Sequence, residues 1–293
     1  MNVQQTPALD FASSNFTLRT VIMSTIIALI TMTGIRMNAQ GLGDLLVTPM
    51  RVVFEGGNRS QTLTLFNVSA DTLTYDLSMI QYRMNEDGTF TQIQEADPGQ
   101  RFADSFIRFF PRTVTLAPRE AQNVRVQFRP AAGMESAEYR SHMFFRAVPR
   151  ESGDDEAADT TTLAIKVQAV FGISIPVIVR NGDISAEVAV ENAIVTVRED
   201  SARTPAMRVT LARTGPASSF GDVIVTWEAP DGQTEQVAVL KGIAVYTPNA
   251  RRVLDIALKL PKDARSKGGF LYVKYINRSD LREKLLAESK VAL

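Results

Sequence analysis

The chain has 293 residues, enough for two domains, and 45% of them are hydrophobic, which can supply ordinary cores. Its 32 basic and 32 acidic residues cancel, so the charge gives no support for nucleic acid or a membrane surface as a partner. Cysteine is absent, which excludes disulfides, thiolate metal sites and a cysteine nucleophile.

The first forty residues differ from the rest of the chain. Arg19 is followed by an apolar run over 21–35 and then by small and polar residues, which is the layout of a secretory signal. This run is shorter than the roughly twenty residues that a membrane span needs. We predict a signal segment over 1–40, cleaved near Ala39, and no membrane contact in the mature form. A membrane anchor, or a start site placed too far upstream, is the alternative.

Short β-rich runs follow one another between Leu45 and Ile175, separated by turn residues. Asp87-Gly88 is a strong hairpin signal within this series. About seven strands result, and their number and spacing are typical of an immunoglobulin-like sandwich.

A second series of β-rich runs begins after Pro176, and Asp231-Gly232 marks a hairpin within it. The series predicts a second all-β domain over about 181–277, with Trp227 in its core. We therefore predict an all-β protein of two immunoglobulin-like sandwich domains, at 41–176 and 177–293.

The C-terminal tail has a different pattern. Leu281, Leu285 and Leu286 stand at helical spacing with charged residues between them. We expect either a short helix or a frayed end there.

Motifs for catalysis are absent from the sequence. His142 is the single histidine, and its neighbour Ser141 must point to the opposite face of a strand, so the two cannot form a nucleophile–base pair. We expect a strand histidine with a local hydrogen bond. Asn67 begins an Asn-Val-Ser triplet that formally fits a glycosylation acceptor. We predict no enzyme activity, no catalytic residue, no metal and no cofactor.

One run alternates apolar and other residues with unusual regularity. A half-buried strand shows such a period of two, because successive side chains point to opposite faces. The apolar members are Leu163, Ile165, Val167, Ala169, Phe171, Ile173 and Ile175.

Four stretches, in this order, are similar to one family. They are RVVFEGGNRSQTLTLFN (Arg51–Asn67), FFPRTVTLAPREAQNVRV (Phe109–Val126), EYRSHMFFRAVP (Glu138–Pro149) and FGISIPVIVR (Phe171–Arg180). Together they resemble the PapD-like periplasmic chaperones of chaperone–usher pili. The resemblance covers most of residues 44–180 and weakens in the second domain.

The resemblance implies a function. Subunits of such pili are immunoglobulin-like domains that lack their last strand, which leaves an apolar groove and unpaired backbone groups. The chaperone lends the last strand of its first domain to the subunit and hands it to an outer-membrane usher. The implied protein is periplasmic, has two sandwiches arranged in an L, and needs no nucleotide. Its partners would be pilus or fimbrial subunits and the usher.

The regular run would be the donor strand in this family. Its groove-filling side chains would be Leu163, Ile165, Val167, Ala169 and Phe171, and the acidic stretch ESGDDEAADTTT would be the loop before it. The alternative is that the same side chains simply form the core face of an ordinary sandwich strand.

Family members hold the subunit's C-terminal carboxylate with two basic residues in the cleft between the domains. Arg51 matches the first of them. The second is usually a lysine shortly before the proline that ends the donor strand, and here Lys166 lies well upstream. Arg140 and Arg180 are the other candidates. Ile175 replaces the arginine expected before Pro176, which leaves the family's ion pair between domains without its usual residue.

A different function also fits two β-sandwich domains. The protein could be a structural or adhesive surface protein that does not assist the folding of any partner.

Overall fold

The computed structural model describes residues 44–149, 171–199, 203–279 and 282–293, which belong to one compact unit. The predicted signal segment, Lys166 and four predicted groove-filling residues (Leu163, Ile165, Val167 and Ala169) lie outside the described residues. No helix within these ranges is long and apolar enough to cross a membrane.

Two layers of strands form a first sandwich. One sheet has the order β1-β3-β8-β6, and the other has the order β2-β10-β9-β4-β5 with β7 also paired to β4. A short 3-10 turn, Asp104–Phe106, precedes β6. The strands are Leu45–Thr48 (β1), Val52–Phe54 (β2), Ser60–Asn67 (β3), Leu73–Met84 (β4), Phe90–Ile93 (β5), Ile107–Phe110 (β6), Thr113–Leu116 (β7), Ala121–Phe128 (β8), Ala137–Ala147 (β9) and Gly172–Asn181 (β10).

At two prolines the chain passes from one sheet of this sandwich to the other. Pro49 separates β1 from β2, and Pro111 separates β6 from β7. Proline has no N–H to donate to a ladder, so the chain leaves one sheet and joins the other at each of these points. The first sandwich therefore has more strands in its described residues than the sequence predicts.

The strands that follow form a second sandwich, with sheets of order β11-β12-β15 and β14-β13-β16-β17. A single-turn helix, Ala264–Lys267 (α1), precedes β16. The strands are Glu187–Val197 (β11), Pro205–Thr214 (β12), Ser219–Glu228 (β13), Thr234–Val245 (β14), Arg251–Ala257 (β15), Phe270–Ser279 (β16) and Arg282–Ala292 (β17). β11 pairs with β12 with an irregular register between Val190 and Asn192.

The C-terminal tail is a strand, so the prediction of a helix or a frayed end is wrong. β17 pairs antiparallel with β16 along nearly its whole length. Ala287, Val291 and Leu293 alternate with exposed residues and pack against the second core. This period of two outweighs the helical spacing of the earlier leucines.

Each sandwich has its own apolar core, and a small third cluster joins them. Trp227 lies in the second core, as predicted, where its indole donates to the Gly268 carbonyl at 3.0 Å. The joining cluster consists of Met84, Ile178, Ala244 and Tyr246, with Val53 and Phe220 packed against it. The fold class is confirmed as all-β with two sandwiches, whereas the domain limits and the L-shaped arrangement stay predictions.

Candidate functional site

Among the described residues, one edge of β10 has a partner strand over only part of its length. β9 pairs with all ten residues of β10, from Gly172 to Asn181. On the opposite edge, β2 pairs in parallel with residues 177–179 only. Within the described residues no strand covers the edge of 172–176.

The backbone groups at this edge can be assigned from the register. The Ala147 N–H donates to the Phe171 carbonyl at 2.9 Å, so these two residues form a hydrogen-bonded pair. Because such pairs alternate along an antiparallel ladder, Gly172, Ser174 and Pro176 direct their backbone groups away from β9. The edge therefore offers the N–H and carbonyl groups of Gly172 and Ser174, whereas Pro176 has no N–H to offer and its carbonyl lies where the β2 ladder begins.

Side chains along β10 alternate between two faces. Ile175, Val177 and Val179 enter the first core, and Ile173 packs against it. At the start of this row Phe171 is 39% exposed. The described end of the regular run thus serves the protein's own core, as the alternative interpretation expects, while Phe171 lies outside that core.

Arg51 stands where the unpaired edge ends. The parallel register that matches Val52 with Val177 places Arg51 beside Pro176. Its Cζ lies 4.2 Å from the ring centroid of Phe220, a residue of the second sandwich. Its Nε is buried without a hydrogen-bond partner, and no acceptor for its Nη nitrogens is seen within the described residues. Burial lowers the pKa of Arg51, and the charge of Arg180 lowers it further.

Arg140 is a second arginine in the cleft where the two sandwiches meet, but it is almost completely buried. It is only 2% exposed, and its Cζ lies 4.6 Å from the Tyr246 ring centroid. One Nη nitrogen donates to the carbonyls of Tyr82 and Thr247 at 3.3 and 3.4 Å, while Nε and the other Nη are buried without partners. Burial lowers the pKa of Arg140. Arg51 is therefore the more accessible of the two cations.

Arg180 forms the ion pairs at the junction of the two sandwiches. Its Nε donates to Glu138 at 3.1 Å and its Nη1 to Glu55 at 2.9 Å, and its Nη2 reaches the Ser218 carbonyl at 2.9 Å. Burial alone would lower the pKa of Arg180, but the charge of Glu138 and the hydrogen bonds to both carboxylates raise it. Both ion pairs lie within the first sandwich, and the hydrogen bond to the Ser218 carbonyl joins it to the second. Arg180 is engaged in these contacts, and the arginine that Ile175 replaces is not needed for them.

Glu138 is the acceptor at the centre of this junction. Its side chain is fully buried. It accepts a hydrogen bond from the Ser218 N–H at 2.9 Å, another from the Ser218 hydroxyl, and one from the Thr247 hydroxyl at 3.3 Å. A buried carboxylate with this many donors is compensated for the loss of water.

His142 lies on β9 and faces the same cleft. Its ring meets the rings of Tyr82 and Phe90 edge-on, at centroid distances of 5.0 and 5.6 Å. Nδ1 is buried without a partner, so the local hydrogen bond that we expect is not found at this atom. Burial, with a smaller effect of Arg140, lowers the pKa of His142 to about 3. The imidazole is consequently neutral at ordinary pH.

Asn67 is a structural residue and not a surface acceptor for glycans. It is completely buried. Its amide nitrogen donates to the carbonyls of Asp71, Leu116 and Ala117, and its oxygen accepts from the Ser69 N–H and hydroxyl. The triplet at this position therefore has no free amide for modification in the folded protein.

No family model matches the sequence, and neither does any curated protein. The chain is similar to solved chaperones of fimbriae and pili. The match with the CupB2 chaperone of Pseudomonas aeruginosa covers 85% of this chain and 100% of that chaperone, at 14% identity and a TM-score of 0.40. The match with the E. coli chaperone DraB covers 85% of this chain and 97% of that one, at 14% identity and a TM-score of 0.39. The match with a chain of the CsuC–CsuE complex from Csu pili of Acinetobacter baumannii covers 84% of this chain and 98% of that one, at 10% identity and a TM-score of 0.42.

The structure brings together only part of the predicted site. Arg51 and Phe171 lie at opposite ends of the unpaired edge, whereas Lys166 lies outside the described residues. Sequence reasoning missed Phe220, Tyr246 and the role of Glu138. Their partners are distant in sequence, as in the Glu138–Ser218 pair, which spans 80 positions, so no local pattern signals them.

Proposed function

We propose that this protein is a periplasmic, non-enzymatic chaperone that caps pilus or fimbrial subunits by lending them the strand that leads into β10. The observation that carries the proposal is the edge of residues 172–176, which no described strand covers and which ends beside Arg51. An exposed strand edge is a ready template for an incoming strand.

The edge and the arginine together define how a partner strand would bind. A chain whose terminal carboxylate reaches Arg51 and whose backbone follows the edge toward Gly172 must run parallel to β10. It would lie in line with β2, which is also parallel to β10. The planar guanidinium can donate two N–H groups to one carboxylate, and this contact would set the register of the partner strand.

The alternation of the strand supports a shared core. A partner strand added at this edge would continue the same sheet, so the odd-numbered side chains would point toward the partner's core as well as the protein's own. Phe171 is the described member of this set outside the home core. Leu163, Ile165, Val167 and Ala169 would be the further plugs. Met50, next to Arg51, is 71% exposed and adds apolar surface beside the edge.

Several finer features belong to the same proposal. The signal segment over 1–40 would direct export, and an outer-membrane usher would receive the bound subunit. Arg51 would be the first carboxylate anchor, and Lys166 would be the second. Arg140 could replace Lys166 if binding of the subunit opened the cleft around Tyr246.

The deciding experiment is affinity purification of the tagged protein from periplasm, followed by mass spectrometry. We expect a small β-rich partner that is soluble only in complex. Arg51→Ala should weaken its retention about tenfold or more, as for the loss of a charge-assisted pair. Arg59→Ala, an exposed arginine away from the edge, is the matched control. Unchanged retention in Arg51→Ala contradicts the anchor, and purification without such a partner favours the structural or adhesive alternative.

A further inference from the structure

The guanidinium of Arg51 is held by aromatic rings of the other sandwich. Its Cζ lies 4.2 Å from the Phe220 ring centroid and 6.0 Å from that of Tyr246. Within the described residues no carboxylate pairs with it and no carbonyl accepts from it, and its Nε is sealed from solvent. The ring contacts are thus the specific attractions that fix its position there.

Phe220 is itself immobilised. It lies on β13, where its backbone pairs with Ala244, and it packs against the cluster that joins the two sandwiches. A ring that is fixed in this way can orient a cation placed over its face.

Stacking is compatible with binding of an anion. A guanidinium that lies over a ring keeps its N–H groups directed outward in the guanidinium plane, where a carboxylate can meet two of them. An arginine that is already oriented loses less side-chain freedom when the carboxylate arrives. A freely rotating arginine at the same position would bind more weakly.

We propose that Phe220 is a positioning residue for the carboxylate anchor, with Tyr246 as a second wall. The inference rests on the proposed function, because it concerns how Arg51 meets the partner's chain end. It assigns a role in recognition to the second sandwich, since the first sandwich supplies the strand edge and the arginine but neither ring.

The first test needs no partner protein. The Nε–H signal of Arg51, assigned by its loss in Arg51→Lys, should show a ring-current shift relative to the signals of exposed arginines. Phe220→Met should remove this shift and Phe220→Tyr should keep it. Phe270→Leu, which removes a ring that carries Lys290 at 3.8 Å, is the control and should leave the signal unchanged.

The second test uses acetate as the probe, titrated against sodium chloride at equal ionic strength. We expect Phe220→Met to raise the Kd for acetate, read from the Arg51 signal, about threefold to tenfold. Phe220→Tyr should bind within about twofold of the wild type by the same reasoning, because it keeps the ring. An unchanged signal and an unchanged Kd in Phe220→Met overturn the inference.

The two proposals can fail separately. If acetate does not move the Arg51 signal of the wild type, the carboxylate anchor of the proposed function is wrong, and the ligand-free shift still reports the stacking. If acetate binds while the wild type shows no ring-current shift, the role of Phe220 is wrong and the anchor stands. That second comparison requires only the wild-type protein, so a misfolded Phe220→Met variant would not prevent it.

Discussion

At the scale of single residues, the cleft buries ionisable groups that usually remain in water. Arg51, Arg140 and His142 all have pKa values lowered by burial. Such groups are costly to bury, so buried ones are usually paired or have a function. Here the arginines stack on aromatic rings, and the imidazole remains neutral among the rings of Tyr82 and Phe90.

The neutral histidine makes stability depend on pH. The pKa of His142 is about 3 in the folded protein and about 6.5 in an unfolded chain. The unfolded chain therefore takes up a proton first as the pH falls. The contribution of His142 is fully present above pH 6.5 and is lost progressively toward pH 3. Between pH 6.5 and 5, before most carboxylates titrate, we expect a loss of about 2 kcal/mol in the free energy of unfolding.

Urea unfolding at several pH values measures this effect. His142→Phe keeps an aromatic ring beside Tyr82 and removes the proton site, so its free energy of unfolding should be nearly constant between pH 6.5 and 5. Because the sequence has one histidine, any difference in slope between the two proteins belongs to His142. Parallel profiles would show that the imidazole is solvated in the folded state.

At the scale of elements, two prolines mark where the chain passes from one sheet to the other, and a third lies at the exposed edge of β10. Pro49 and Pro111 stand where runs pass from one sheet to the other. Pro176 lies inside β10 without interrupting it, because its missing N–H would face the unpaired edge and not β9. The position of a proline relative to the ladder matters more than its presence.

The same geometry gives a selective test of the edge. Ser174→Pro removes an outward N–H while leaving the ladder with β9 intact, as Pro176 already does. We expect it to weaken binding of the proposed partner about threefold to tenfold, the value of one net backbone hydrogen bond, with a far smaller effect on thermal stability. Pull-down yields and melting temperatures of the same preparations provide both readings.

Ser174→Ala is the matched control, since it changes the side chain and keeps the N–H. Equal capture by Ser174→Pro and the wild type would mean that the partner does not pair with this part of β10.

Much of the strand content was predictable, and the exceptions have local causes. Alternating apolar residues and Gly or Pro turns indicate most strands of both sandwiches. The prediction for the tail was wrong because its leucines have helical spacing. Its strand conformation depends on pairing with β16, which the sequence of the tail alone does not reveal. The exposed edge of β10 could not be predicted from the sequence, because the residue at which pairing with β2 ends depends on the three-dimensional fold.

At the scale of the whole molecule, the junction consists of polar contacts around an apolar patch. Glu138 binds Ser218 and Thr247 across 80 and 109 positions of sequence. The β4–β5 hairpin also reaches the second sandwich, where the Val253 N–H donates to the Glu86 carbonyl at 2.7 Å and the Asn249 amide donates to the Met84 carbonyl at 2.6 Å. These contacts fix Phe220 relative to Arg51.

Glu138→Gln should loosen the junction. The amide brings N–H groups against donors and leaves Arg180 without one of its carboxylates, so we expect a loss of about 2–4 kcal/mol in the free energy of unfolding. Amide hydrogen exchange at Ser218 and Thr247 should become faster as well. Denaturant titration and exchange mass spectrometry measure the two effects.

Glu55→Gln is the control at the other side of the same arginine. The Glu55 side chain is 56% exposed, and an exposed ion pair contributes less than about 1 kcal/mol. Equal effects of the two substitutions would place the stability of the junction in the apolar cluster.

An open strand exposes a protein to pairing with copies of itself, and Pro176 limits this risk. In the described segment only two N–H groups face outward, too few to hold a second molecule by backbone contacts alone. A lasting complex needs an additional attachment, and in the proposed function Arg51 would supply one only to a chain end that carries a negative charge. A second copy that approaches with the middle of a strand has no such charge, so it would lack the attachment that a partner's chain end would form.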